Sequence, residues 1–261
     1  MSSISSLVGV IVVTILLGTV TICVVYFIFI MFVSKKKSSP FPVPNLQWLI
    51  DNNVEFKVHD TWPSATGYAL VEMTNLLTHN ECKHLIALAE KQGLNESEVT
   101  QYTETGSAID MTSRTSKTAW MEDKKDPLVA KLSAISSALC GLPAENHEML
   151  QIASYDIGGR FNPHFDACTL DDETCAKIDR FSGRRRSSLL VYLNDDFQSG
   201  ETEFVELGHK VIPKQGKAIF FWNTMGNSDE SIIAVSKHAG REVKSGKKWI
   251  CTKWSHNKPY K

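Results

Sequence analysis

The stretch Asn162-Pro163-His164-Phe165-Asp166 carries the residues that decide how this chain is read. In extended backbone, side chains two apart point to the same face, so the His164 imidazole and the Asp166 carboxylate can grip one ion together. One further histidine from a distant strand would complete a 2-His-1-carboxylate set, which leaves open positions on a non-haem Fe(II) ion. The triplet alone carries little weight, because a surface histidine beside an aspartate is the commoner occurrence. Three histidines lie downstream, His209, His238 and His256. Only His238 sits in a strand-like run with a suitably placed cation after it, Lys248, ten residues on and beyond a glycine-containing turn. A lysine returning there on the adjacent strand can pair with the distal carboxylate of 2-oxoglutarate while the keto-acid end chelates iron. Position 219, ten after His209, is Ile, and His256 lies too near the chain end.

Outward from this stretch the pattern is β-rich. Residues 148–155, 187–194, 201–205, 210–213, 217–222, 230–237 and 247–254 read as strands between Gly, Asp, Asn and Ser clusters. Residues 167–186 read as a long mobile loop ending in Arg184, Arg185 and Arg186. Two helices come before the strands. Thr78-His79-Asn80-Glu81 is a capping box leading into Cys82, Leu85, Ile86 and Ala89, with Gly93 as the stop. Asp126 and Pro127 open the second, whose apolar stripe is Leu128, Leu132, Ile135 and Leu139. The expectation is an α+β chain with a jelly-roll core buttressed by helices.

The N-terminus differs from the rest. Leu7 to Val33 is 27 residues without a charge, long enough to span a bilayer with some tilt. No basic residue precedes it and no small-x-small site closes it, which favours a retained anchor over a cleaved signal. The expected divisions are an anchor with its basic flank Lys35–Lys37 over 1–37, a Ser/Pro linker over 38–44 and a folded domain over 45–261. Those three lysines are the only charges in residues 1–44, so a net −1 for the 261-residue chain leaves −4 on the domain. A mildly acidic domain excludes nucleic acid as an electrostatic partner. Of six cysteines, Cys23 lies in the apolar run; Cys82, Cys140, Cys168, Cys175 and Cys251 leave one or two disulfides open.

From about residue 65 to 258 the chain resembles the prolyl 4-hydroxylases, Fe(II)/2-oxoglutarate dioxygenases with a double-stranded β-helix core. The resemblance runs through Tyr155-x-x-Gly158, Pro163-His164-Phe165-Asp166, Tyr192-Leu193-Asn194-Asp195 and Gly200-Glu201-Thr202, then His238-Ala239-Gly240, Gly246-Lys247-Lys248-Trp249 and Thr252-Lys253-Trp254. It is nearest to the short, membrane-anchored forms. It implies iron ligation by His164, Asp166 and His238, and 2-oxoglutarate binding by Lys248 with hydroxyls of Tyr155 and Thr202. It further implies a peptide groove around Arg114, Ser116, Glu148, Arg185, Trp254 and His256. The implied reaction is 4-hydroxylation of a proline-rich or collagen-like peptide, using O2 as cosubstrate and L-ascorbate to rescue oxidised iron. The implied location is the endoplasmic reticulum membrane, as a single-pass protein with a lumenal domain, although Lys35–Lys37 would favour the cytosol. No partner subunit is required by the sequence. Three departures stand out: Phe161 where the family often has Tyr, Ser188 where it often has Thr, and Ser199 where it usually has Gly. Two rival readings are a 2-oxoglutarate hydroxylase of another residue or substrate, and a non-catalytic membrane-tethered jelly-roll binding module.

Overall fold

A computed structural model describes residues 42–60, 68–97, 100–103, 106–109, 113–169, 182–226 and 229–260. Residues 7–33, the expected anchor, the linker up to 41 and the loop centre at 170–181 lie outside the described residues. Among the described residues, no helix is long and apolar enough to cross a membrane.

Three α-helices are described: α1 (Gln47–Asp51), α2 (His79–Gln92) and α3 (Pro127–Cys140). The capping box of α2 is complete, with the Thr78 N–H donating to the Glu81 carboxylate at 2.8 Å and the Thr78 hydroxyl accepting from the Glu81 N–H. The Asp126 carboxylate caps α3 by accepting from the Leu128 and Val129 N–H groups. Helix α2 buries Cys82, Leu85 and Ala89 of its expected stripe, with Ile86 partly buried, and α3 buries Leu128, Leu132, Ile135 and Leu139.

Twelve strands build two sheets. They are β1 (Phe56–Asp60), β2 (Ala69–Met73), β3 (Asn95–Glu96), β4 (Lys117–Met121), β5 (Leu150–Tyr155) and β6 (Phe161–His164). There follow β7 (Arg185–Tyr192), β8 (Thr202–Phe204), β9 (His209–Val211), β10 (Ala218–Trp222), β11 (His238–Gly240) and β12 (Lys248–His256). The larger sheet runs β1-β2-β10-β7-β12-β5-β4-β3 and the smaller β9-β8-β11-β6. Helix α2 packs on β4 and β5 and α3 on β12 and β7, so the central strands of the larger sheet are buried on both faces.

Alternation along these strands sorts chemistry from packing. On β12, Lys248, Ile250, Thr252 and Trp254 line a cleft, while Lys253 points the other way and pairs with Asp123 at 2.6 Å. Gly246 precedes this strand at φ +77°, where a Cβ would stand 2.6 Å from the Asp196 carbonyl oxygen. Only glycine makes that turn without displacing backbone.

One expectation differs from what is found. The run 230–237 is not one strand, because Ala234–Ser236 forms a 3-10 turn and His238 opens a separate strand. The Val205 N–H bonds the Lys237 carbonyl, and His238 pairs with both Phe204 and His164. Tertiary pairing thus overrides the local β preference of Ile233-Ala234-Val235, just past the strand that ends at Ile232. Asn95 lies on exposed β3, and Ser97 just after it is buried.

Candidate metal centre and its cleft

Register in the smaller sheet puts the metal-type residues together. His238 of β11 lies directly opposite His164 of β6, and Asp166 follows just beyond the end of β6. His164 Nε2 is 3.6 Å from Asp166 Oδ1, and His238 Nε2 is 3.9 Å from the same oxygen. The three ligand atoms lie within 4.8 Å of one another. Each imidazole is fixed by its other nitrogen. His164 Nδ1 faces the Asn162 carbonyl at 2.8 Å and His238 Nδ1 faces the Ser236 carbonyl at 2.9 Å. A carbonyl only accepts, so Nδ1 carries the proton in both rings and both Nε2 lone pairs face the common point. The carboxylate is oriented in the same way, with Asn223 Nδ2 donating to Ser188 Oγ at 2.9 Å and Ser188 Oγ–H donating to Asp166 Oδ2 at 2.5 Å. That leaves Oδ1 for the ion. Phe161 stacks on the His164 ring with centroids 3.4 Å apart, holding its plane.

Electrostatics favour ligand forms. Burial alone would raise the Asp166 carboxyl, but the neighbouring His238 and His164 hold it well below the usual carboxylate range. Burial, reinforced by His164, lowers His238 to about 4, so it is neutral at ordinary pH. An Fe(II)-type ion fits these residues: two imidazole nitrogens and one ionised carboxylate oxygen converge at the wall of one cleft.

Lys248 stands farther along the same cleft, opposite Tyr155 in register. It is 2% exposed, its Nζ donates to the Gly200 carbonyl at 2.7 Å, and Nζ lies 5.3 Å and 5.7 Å from the Tyr155 and Tyr192 ring centroids. Among the described residues, no carboxylate comes within ion-pair distance of it. Burial lowers its pKa to about 7, against the pull of Glu201. A buried cation lacking an anion is what the distal carboxylate of 2-oxoglutarate would complete. Thr202 lies opposite Gly240 and accepts the Tyr192 hydroxyl proton at 2.6 Å. Gly200, at φ +71°, keeps the cleft open, since a Cβ there would press to 3.2 Å from Lys248 Cδ.

The cleft encloses about 440 Å³, its mouth included, and Arg114, Tyr155, His164, Asp166, Thr202, His238, Lys248 and Trp254 all line it. Ser116, Glu148, Arg185 and His256 do not line it but stand just behind. Ser116 accepts from Arg114 Nε at 2.9 Å, and Arg114 Nη2 donates to Gln151 at 2.8 Å. Arg185 grips Glu148 with two nitrogens, lies 3.8 Å over the Trp254 ring and reaches the Asp166 carbonyl. His256 bridges the Gly183 carbonyl and Glu148. Burial would raise Glu148, but Arg185 and His256 bring it down to about 2. Gln151, Leu190, Gly240, Ile250 and Thr252 also line the cleft and were not anticipated. Stepping by two from Tyr155, Lys248 and Gly200-Glu201-Thr202's partner strand finds most of them.

A family model, "2OG-Fe(II) oxygenase superfamily", matches residues 150–256, which hold every residue of the metal set and Lys248. A curated relative, "Probable prolyl 4-hydroxylase 8" of Arabidopsis thaliana, is 34% identical over 205 residues, covering 71% of this chain and 68% of its own. The chain therefore belongs to the prolyl 4-hydroxylase family. "Prolyl 4-hydroxylase subunit alpha-1" of Rattus norvegicus is 35% identical over 155 residues, 59% of this chain. That match spans only 28% of the rat subunit. Among solved structures, the "viral collagen prolyl hydroxylase vCPH from Paramecium Bursaria Chlorella virus-1", in a complex with 2OG, is similar with a TM-score of 0.58. It is 28% identical, covering 72% of this chain and 95% of that one.

Proposed function

We propose that this chain hydroxylates peptidyl proline at carbon 4, coupling that step to oxidative decarboxylation of 2-oxoglutarate to succinate and CO2. The observation that carries the reading is one cleft shared by the His164–Asp166–His238 set and buried Lys248, which has no carboxylate within ion-pair distance among the described residues. Fe(II), when bound with 2-oxoglutarate and O2, supplies the oxidising power that no side chain can. His164 Nε2, Asp166 Oδ1 and His238 Nε2 would hold the ion. Lys248, with the hydroxyls of Tyr155 and Thr202, would hold the cosubstrate's far carboxylate. Apolar Leu190, Ile250 and Phe161 help exclude water around the site. Trp254, stacked under Arg185, offers a flat face to a proline-rich strand, and the stiff polyproline II form loses little freedom on docking. L-Ascorbate would rescue iron oxidised in idle turnovers.

The test is succinate release from 2-oxoglutarate with and without proline-rich and collagen-like peptides, read with the mass of the peptide product. Peptide-stimulated succinate and one added oxygen on proline are expected. Oxygen on another residue would shift the substrate class, and no succinate under any condition would leave a binding module. For location, we propose a single-pass endoplasmic reticulum protein, anchored through residues 7–33 with the domain in the lumen. The disulfide at Cys168 suits an oxidising compartment, and exposed Asn95 offers a glycan site. Protection of the domain from protease added outside sealed microsomes is expected; full digestion would place it in the cytosol.

A further inference from the structure

A second His/carboxylate group lies outside the cleft. His59 of β1, Glu72 of β2 and His209 of β9 bring one ligand atom each within 4.8 Å of the others. His59 Nε2 is 2.8 Å and His209 Nε2 3.0 Å from the same oxygen, Glu72 Oε1. The two imidazoles face each other with centroids 4.4 Å apart. None of the three lines the cleft, so the mechanism makes no use of them.

Register explains the convergence. Glu72 lies opposite Lys57 on one side and Ile219 on the other. His59 and Lys217, each two residues from those partners, therefore sit diagonally beside Glu72 on one face of the larger sheet. Lys217 Nζ holds Oε2 at 3.2 Å, which turns Oε1 toward the histidines. His209 arrives from β9, the terminal strand of the smaller sheet, while β1 is terminal in the larger. The trio thus bridges the outer edges of both sheets. Side-chain exposures of 14% for His59, 16% for Glu72 and 23% for His209 leave room for water as a fourth ligand.

Two imidazole nitrogens and one carboxylate oxygen form a donor set suited to a d-block dication. Bonds of about 2.0–2.1 Å in a tetrahedral arrangement separate ligand atoms by roughly 3.3 Å. The observed pairs need only a small opening to reach that. We propose that His59, Glu72 and His209 form a second metal site, taking a divalent cation of the zinc class and fastening the two sheet edges together. Its role is structural, and it is independent of the iron centre.

The experiment uses the full chain in detergent with Zn2+ and Co2+ as probes. The Asp166→Ala/His238→Ala variant, stripped of the catalytic set, should still bind one equivalent of Zn2+ and give Co2+ absorption in the visible. Adding His209→Ala, or Glu72→Gln, should abolish both. At a hundredfold excess over Kd, Zn2+ should raise the melting temperature of the stripped variant by roughly 5–10 °C. Should that variant fail to fold, the unmodified chain should bind two equivalents and His209→Ala one. A stripped variant that binds no Zn2+, or a stoichiometry unchanged by His209→Ala, would overturn the proposal and leave an ion pair only.

Discussion

Raising the pH should weaken 2-oxoglutarate binding, and Lys248 sets the size of the effect. In the free protein its pKa is about 7, because burial disfavours the ammonium. A bound carboxylate supplies the missing partner and returns the pKa toward the ordinary lysine range of about 10.4. Between those two values, binding must take up a proton, so affinity falls as pH rises. With a free pKa near 7, the charged fraction drops about tenfold from roughly pH 6 to roughly pH 8, so Kd should rise about tenfold, or about 1.4 kcal/mol. Calorimetry on Mn2+-saturated protein prevents turnover and keeps His164 and His238 deprotonated throughout. Titrations in buffers of different ionisation enthalpy should show uptake of about 0.9 proton near pH 8. Lys248→Arg stays charged at every pH, so its affinity should be lower at the outset but flat with pH. A flat profile in the unmodified protein, or an equal slope in Lys248→Arg, would refute this account of the cleft.

The remaining predictions concern the metal shell, the groove and the fold. His164→Ala, Asp166→Ala and His238→Ala should each abolish succinate release and Fe(II) binding in the cleft by equilibrium dialysis; activity surviving His238→Ala would dismiss His238 as the distal ligand. Ser188→Ala removes the hydrogen bond that orients Asp166 Oδ2 and should cost roughly 10–100-fold in Fe(II) affinity, with Ser188→Thr near the unmodified value. Glu148, lowered from 4.5 to about 2, contributes stability that is full above about pH 4.5 and lost as pH falls through about 2. Melting curves should therefore show an acid-side decline of a few kcal/mol that Glu148→Gln flattens. Gly246→Ala forces a Cβ against the Asp196 carbonyl and a strained φ, and should destabilise the domain by about 2 kcal/mol or more in urea unfolding.

Much of the site was legible because its signals are local. The step from His164 to Asp166 spans two residues and that from His238 to Lys248 ten, although Asp166 lies just past the end of β6 and Lys248 stands on β12 of the larger sheet, not on a strand adjacent to β11. Both capped helices were legible for the same reason. What escaped is mostly non-local. Phe161-Asn162-Pro163-His164 stands outside the β-rich runs of the sequence, and its proline cannot donate to a ladder. Yet β6 is the terminal strand of the smaller sheet, and there the missing N–H removes no pairing. The short β4 was missed because its burial depends on α2, which no window of sequence reveals. The tie from Glu148 to Arg185 and His256 crosses 37 and 108 residues, beyond the reach of any spacing rule.

The alternation along β12 bears on which length changes the chain can tolerate. Lys248, Ile250, Thr252 and Trp254 face the cleft, whereas Lys253 pairs with Asp123 on the helix side. Deleting one residue inside this strand would turn every later side chain to the opposite face, sending Lys253 into the peptide groove and Trp254 under α3. An insertion before Lys248 would leave that parity untouched, but it would meet the pairing of Val243–Ser245 with Gln198–Ser199. The link between the metal strand and the lysine strand is held in its own right, so a change of length there must spare Val243–Ser245 and the Gly246 turn.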